Sequence, residues 1–422
     1  MSTAKAAISS IKPFSSIPGP LSLPLVGSCL RYRFGSRGKT EYHLALKDMH
    51  QEFGPLVKEQ IGTRTILHVF CPDDIKTVYS VEGKWPVIPP LQETTAMYRE
   101  QKEMSLGLGN TNGEEWYKLR SNSQQRMLRP KEVAHHLPSV NRIANELVDR
   151  LDTLAQKDHN REIDDLRLEV GRWSLENAAN LVFDRRMGCL EDGDTWGKKL
   201  VEANATIFRL SGDLKLSLPL YKVISTPKWK DLVSAEDQFY SEAIALCDEA
   251  ILEFRSVLEN GSMNSKQFYF LSYLLSREAL SLKDVTVICL SLFSDGLSTT
   301  TPTLLFNLYC LATLPEVQEK VFQEIEREIP ADEPITTSSL ANLPYLKAFV
   351  KETFRLWPNG TEVSRYCEQD LVLSGYQVPA GTHLDLNPSV HFMNSQLFPE
   401  PENHQPERLR PYNTTKFKTF FY

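Results

Sequence analysis

The segment "SLKDVTVICLSLFSDGLSTTTPTLLFNLYCLATLP" (281–315) constrains the fold more than any other part of the 422-residue chain. It is the longest apolar stretch, and a helix laid over it would run about 45 Å at the standard rise per residue. Such a helix needs either lipid or a large protein core around it. Its middle decides between them. Asp295, Gly296 and the run Ser298–Thr299–Thr300–Thr301–Pro302 put a carboxyl and several hydroxyls where lipid would leave them unpaired. The segment is therefore expected as a buried helix crossing a large core, with a polar centre that must find partners or line a cavity.

Helical periodicity also dominates from "GEEWYKLRSNSQQRML" (113–128) to about residue 275, with breaks expected at Pro130, Pro138, Pro219 and Pro227. Two stretches read as β-structure instead. "GPLVKEQIGTRTILHVFCP" (54–72) alternates as two strands with a turn at Gly62–Thr63, and "DLVLSGYQVPAGTHLDLN" (370–387) as strands joined at Ser374–Gly375 and Ala380–Gly381. The expected fold class is mainly α with a small β subdomain. Residues 1–40 form a basic, Pro/Ser-rich segment without an acid before Glu41, the composition of a mitochondrial transit region. A disordered cytosolic tail fits the same composition, because Pro13 and Pro18 keep any helix there short. Residues 41–422 are expected as one domain.

A formal charge of −7 gives no reason to expect a nucleic-acid partner. The seven cysteines show neither a CxxC pair nor regular spacing, so they read as free buried thiols rather than a disulfide framework or a zinc site. The nine histidines lack ligand spacing and read as surface or capping residues, and no metal ligand set is expected. Walker A, HExxH, GxSxG and kinase signatures are missing.

Four features remain, and each has an ordinary explanation when taken alone. Glu352 and Arg355 in "YLKAFVKETFRLWP" are three residues apart, a common exposed helix pair worth a few tenths of a kcal/mol. "HQPERLRP" (404–411) could be a plain loop. Trp116 and Arg120 share a helical face, as an aromatic ring packed on an Arg stem would. The last feature is "SDGLSTTT" in the long helix.

In this order and at these separations the four resemble the cytochromes P450, haem-thiolate monooxygenases. The resemblance runs from "IPGP" to "PERL". It implies that Glu352 and Arg355 form the family's ExxR pair and that Arg408 completes a buried structural triad, two guanidinium forks around one carboxylate. Trp116, Arg120 and Arg365 would contact the propionates of haem, the implied cofactor. The family's G-x-D/E-T-T pattern falls on Gly296, Leu297, Ser298, Thr299 and Thr300. Gly296 would loosen the helix over the haem, and Thr299 would hydrogen-bond the bound oxygen. Ser298 stands where the pattern has an acid, so proton delivery would pass through Ser298 and water or come from Asp295.

Lys347 and Lys351, four apart on the ExxR helix, match the lysines with which the animal mitochondrial group docks an acidic iron–sulfur ferredoxin. A tolerated solvent face would carry the same pair. The resemblance implies a mitochondrial enzyme at the matrix side of the inner membrane, in peripheral contact with it. Its substrates would be O2 and a small lipophilic molecule of steroid, secosteroid or ecdysteroid type. The pocket is expected from the loop around residues 86–108, the apolar side of Phe293–Thr299, and Thr361–Ser364. One departure stands out. The family's cysteine loop, FxxGxRxCxG, does not follow Arg408, and Cys367 sits in no glycine-rich turn. The chain therefore reads as a fragment that ends before the thiolate ligand of the iron, and is expected to be inactive in this form. The alternative is a haem-free, non-catalytic protein that binds ferredoxin or lipid.

Overall fold

A computed structural model describes residues 11–261, 268–330 and 333–409. Thirteen longer helices carry most of the chain. They are α1 (Tyr42–Phe53), α2 (Pro72–Val81), α3 (Glu93–Gln101), α4 (Gly113–Leu128), α5 (Leu137–Lys157), α6 (Leu166–Phe183), α7 (Trp196–Lys215), α8 (Pro227–Glu259), α9 (Tyr269–Leu275), α10 (Leu282–Ser298), α11 (Thr300–Thr313), α12 (Pro315–Glu328) and α13 (Pro344–Leu356). Pro138, Pro227, Pro315 and Pro344 all lie in the first turn of a helix, where the missing N–H costs nothing. Pro138 and Pro227 thus start helices as well as separating them.

The apolar segment that opened the sequence is two helices rather than one. Pro302 has no N–H to give the Ser298 carbonyl, and its ring would crowd that carbonyl in a continuous helix. The break falls at Thr299, whose φ of −120° and ψ of −58° leave the helical range between α10 and α11. No described helix is long and apolar enough to cross a membrane. Instead α10 crosses the largest core cluster, where the Phe293 ring meets Phe183 at 5.7 Å and Phe239 at 5.9 Å between centroids. A capping box between Ser281 and Asp284 starts the helix, and Asp284 also accepts from Lys118 Nζ at 3.0 Å, which ties α4 to α10.

The strands are β1 (Leu56–Ile61), β2 (Arg64–Val69), β3 (Val363–Tyr366), β4 (Leu371–Leu373), β5 (Tyr376–Val378) and β6 (His383–Leu386). β1 and β2 form the expected hairpin, with Ile61 opposite Arg64 across Gly62–Thr63. β4 and β5 close a second hairpin, whose two turn residues have φ of +45° at Ser374 and +79° at Gly375, as a tight two-residue loop requires. β6 leaves that hairpin and inserts in the first sheet, giving the order β1-β2-β6-β3 with β2 and β6 parallel.

Residues 12–40 do not stand apart from the domain. Lys12 pairs with Tyr376, the Lys58 N–H donates to Pro18 O at 2.8 Å, and Ile17, Cys29 and Tyr32 are buried. Their apolar side chains pack on the sheet, so the boundary drawn at residue 40 is not a structural one. The expected transit composition concerns in part residues 1–10, which lie outside the described residues. The histidines also depart from expectation: His68 and His404 are buried. All seven cysteines are free, and all but Cys71 are buried.

Candidate active site

The break at Thr299 organises the site. Thr299 Oγ1 donates to Asp295 O at 2.6 Å, and Ser298 Oγ donates to the same carbonyl at 3.1 Å. Thr303, one turn on, donates to Thr299 O at 2.7 Å and accepts from Asn359 Nδ2, in the loop after α13, at 2.7 Å. The interrupted helix is therefore tied to the end of α13. A groove of about 690 Å³ opens here, lined by Thr299, Thr300, Thr303, Asn307, Trp173 and Phe354 among others.

A second cavity, of about 900 Å³, lies one turn earlier along α10. Ile288, Ser291, Leu292 and Asp295 of α10 face it, with Leu91, Arg99 and Leu108 from the segment before α4. The sequence placed one wall within 86–108, but of the apolar side expected at Phe293–Thr299 only Ser294 and Asp295 line the cavity, which meets the helix mainly one turn earlier. The sequence missed Ile207 and Phe208 of α7 and Phe239 and Tyr240 of α8, which periodicity alone reads as ordinary core. Thr361–Ser364 are not among the lining residues. The expected loop at 86–108 also contains a helix, α3.

Asp295 is open to this cavity but enclosed by protein on its other sides. That desolvation pushes its carboxyl up to about 6, and the positive charge of Arg99 partly offsets the shift. A group with such a pKa can take and release a proton near neutral pH.

Gly296 has a packing reason for lacking a side chain: a Cβ there would lie 2.6 Å from Ser174 Oγ on α6. The glycine thus permits the close crossing of α6 and α10, while the loosening expected of it falls at Thr299. Gly296→Ala is expected to cost about 1 kcal/mol through overpacking. In a Ser174→Ala background the same change becomes neutral or stabilising, because helix propensity then acts unopposed. Urea denaturation of the two variants reads the difference.

Beneath these helices, Glu352, Arg355 and Arg408 meet. Arg355 grips Glu352 with Nε at 3.0 Å and Nη2 at 2.8 Å, and Arg408 Nε reaches Glu352 Oε1 at 3.0 Å. Gln405 N donates to the same oxygen at 3.1 Å. The remaining guanidinium donors satisfy backbone carbonyls, Arg355 to Phe392 O and Arg408 to Pro399 O, both at 2.7 Å. With Glu352 0% exposed and Arg355 1% exposed, this is a buried charge cluster rather than a surface helix pair.

The residues expected around a propionate divide. Trp116 and Arg120 lie on α4, both half-buried, and the Arg120 guanidinium has no hydrogen bond or ion pair among the described residues. Arg365 is already engaged: it pairs with Glu82 through Nε and donates to Ser364 O at 2.9 Å, with its guanidinium over the Tyr79 ring. Lys347 is exposed on α13, its ammonium 3.0 Å from Ala341 O, and Lys351 lies one turn further on the same helix.

A broken core helix, a buried Glu–Arg–Arg cluster under it and an apolar cavity beside it fit one family, and the comparison with known proteins agrees. The family model for cytochrome P450 matches residues 17–422. The chain belongs to the cytochrome P450 family. It is 43% identical over 402 residues to the probable cytochrome P450 CYP44 of Caenorhabditis elegans, covering 94% of this chain and 79% of that protein. Two mitochondrial relatives fall at 27%. They are the 1,25-dihydroxyvitamin D(3) 24-hydroxylase of Mus musculus, over 396 residues (93% of this chain, 75% of that protein), and the sterol 26-hydroxylase of Rattus norvegicus, over 408 residues (94% and 74%). This P450 is thus of the animal mitochondrial type, in a family of haem-dependent monooxygenases.

The fit of a haem to this P450 can be judged from its own side chains. Trp173 Nε1 and Asn307 Oδ1 line the groove at Thr299, and both are buried without a hydrogen-bond partner. The Trp173 N–H and, on α4, the unpaired Arg120 guanidinium are donors short of an acceptor, which propionate carboxylates would supply, whereas Asn307 Oδ1 is itself an acceptor and adds no support. The iron ligand is another matter. Cys367, the last cysteine in the sequence, is buried after β3, its Sγ donates to Gln369 O at 2.9 Å, and burial raises its pKa, which opposes the thiolate. The residues present fit the edge of the porphyrin and not its iron.

Proposed function

We propose that this P450 belongs to a mitochondrial system that hydroxylates a lipophilic, steroid- or sterol-like substrate with O2 and electrons from an iron–sulfur ferredoxin. The observation that carries the proposal is the interruption of the core helix at Thr299, with Asp295 facing a cavity of about 900 Å³ one turn away. The cavity's lining, apolar side chains with a few polar groups among them, has the character of a small-ligand site. Haem, when bound, supplies the oxygen activation characteristic of the family. The protein's part is to bind the substrate, exclude water and manage protons. Asp295, pushed up to about 6, can take up a proton near neutral pH and pass it through cavity water toward Thr299. Ser298 and Thr299 have committed their hydroxyl protons to Asp295 O, so their oxygens are placed to accept. Gly296 lets α6 close over that turn.

Trp116 and Arg120 would hold a propionate. Arg365 would join them only by leaving Glu82, and so is a poorer candidate. Exposed Leu220, Val223 and Ile224 follow a stretch, Leu216–Leu218, that packs against the N-terminal segment with its own exposed Leu21, Leu25 and Phe34. Together they offer an apolar surface suited to peripheral contact with the inner membrane. The mitochondrial relatives support that location.

Lys347 and Lys351 would receive the ferredoxin. Reversing both charges, Lys347→Glu with Lys351→Glu, is expected to weaken binding of an acidic [2Fe–2S] ferredoxin at least about tenfold at low salt, with less effect at high salt. Surface plasmon resonance at two ionic strengths measures it. Unchanged low-salt affinity would remove the electron route proposed here.

A second reading has one observation in its favour: no cysteine of the 422 residues is set as an iron thiolate. On that reading the chain as given binds ferredoxin or lipid without turning over. It predicts ferredoxin affinity without monooxygenation, and hydroxylated product from a reconstituted mixture excludes it.

A further inference from the structure

The cavity beside α10 contains a charge that a pocket for a neutral sterol would not need. Arg99, on α3, lines it while being only 5% exposed. Among the described residues it makes no ion pair. Its partners are neutral: Nη1 donates to Leu106 O at 2.7 Å, Nη2 to Tyr240 OH at 2.9 Å and to Ser291 Oγ at 3.3 Å, and Nε to Tyr240 OH at 3.3 Å. A guanidinium has five N–H donors, so one on Nη1 is left over, and the contact with Ser291 is long.

The seat is built for this side chain. Gly107 passes it with a φ of +76°, and a Cβ there would lie 2.8 Å from Arg99 Nη1. Neither nearby carboxyl pairs with Arg99 directly. Glu236 accepts from Thr95 Oγ1 at 2.8 Å, has a buried Oε2 with no partner, and is pushed by burial up to about 8, so it is mostly neutral at pH 7. Asp295, pushed up to about 6 and so mostly ionised at pH 7, feels the Arg99 charge across the cavity but makes no ion pair with it, one turn beyond Ser291. A buried cation held only by neutral groups leaves part of its desolvation cost uncompensated, which an incoming anion would relieve.

We propose that the ligand of this cavity is an amphipathic acid: a lipophilic body against Leu108, Ile207, Phe239 and Ile288, with a carboxylate held by Arg99. This rests on the reading of the cavity as the substrate pocket and narrows its substrate class. It also sets the orientation. Ser291, which Arg99 touches, precedes Thr299 by about 12 Å along α10 at the helical rise. A substrate anchored at Arg99 therefore presents to Thr299 a carbon remote from its acid group.

The test is binding of cholanic acid, its methyl ester and cholesterol to the 422-residue chain, followed by quenching of tryptophan fluorescence. The acid is expected to bind about ten- to a hundredfold more tightly than the ester, the range for a hydrogen bond to a charged group. Arg99→Gln should abolish that preference and Arg99→Lys should keep part of it. Because Arg99 is buried and a variant could misfold, the acid-to-ester ratio of the unaltered protein decides by itself. Equal or tighter binding of the ester overturns the proposal, as does a preference that survives in Arg99→Gln. If cholesterol or the ester binds well and the acid does not, the lipophilic pocket stands and only the acid specificity falls. If none of the three binds, the substrate-pocket reading falls with it.

Discussion

Glu352→Ala is expected to destabilise the protein by about 3–5 kcal/mol, the cost of leaving buried charges without their partner. Two guanidinium groups, Arg355 at 1% exposure and Arg408 at 9%, lose their shared carboxylate, and Gln405 N loses its acceptor. A domain whose whole stability is about 5–15 kcal/mol has little left after such a loss. Equilibrium urea denaturation should show the midpoint collapse. The double variant Glu352→Leu with Arg355→Met replaces the charged pair by apolar groups of similar volume and should cost less than the sum of the two single changes. Simple additivity would mean that Glu352 and Arg355 do not act as one unit, against their geometry.

The second large effect concerns the sheet. Glu59 and His68 are both 0% exposed and lie 2.9 Å apart, with Ser28 and Tyr32 also donating to Glu59 at 2.6 and 2.9 Å. Burial works against ionisation of each group. Even so, the Glu59 pKa is lowered by the hydrogen bond and charge of His68, and the His68 pKa is raised by those of Glu59. The signs fix the pH window. The Glu59 contribution is present above its unfolded pKa of about 4.3 and is lost as pH falls through the lower folded value. The contribution of His68 is full below its unfolded pKa of about 6.5 and is lost as pH rises through the higher folded value. The pair therefore stabilises most between those two unfolded values. His68→Leu should cost about 3–5 kcal/mol near pH 6 by stranding a buried carboxylate. The variant should recover stability as pH falls, because Glu59 is then better off protonated. A variant with the pH profile of the parent would show that the pair is not ionised.

Much of this architecture was legible in the sequence because it follows from local rules. The two hairpins were visible in alternation plus Gly62 and Ser374–Gly375, and the helical bulk in its periodicity. The polar centre of residues 281–315 pointed to a cavity, and a cavity is there. The helix break was also written in the sequence, since Pro302 forbids the Ser298 carbonyl its usual partner, but Pro302 entered the argument only against a membrane span. What was not legible depends on contacts between distant segments. Nothing local distinguishes Ile207 and Phe239 as cavity walls from core residues, or says that Arg365 would meet Glu82 across 283 positions. His68 looked like a surface histidine because its partner, Glu59, becomes visible only when β1 and β2 pair. Arg99 was passed over for the same reason: a single arginine in a polar stretch carries no signal until the fold buries it.

The most direct test of the account is a haem titration of the 422-residue chain, read by absorption in the oxidised and the reduced, carbon monoxide-bound forms. The geometry predicts one haem per chain, bound about tenfold or more weakly by Arg120→Ala, as for the loss of one charge-assisted contact. It also predicts that the reduced carbon monoxide complex lacks thiolate character, with no change in Cys367→Ser. Failure to take up haem, or uptake indifferent to Arg120, would contradict the placement of the porphyrin edge. A thiolate-type spectrum that disappears in Cys367→Ser would contradict the reading of the cysteines.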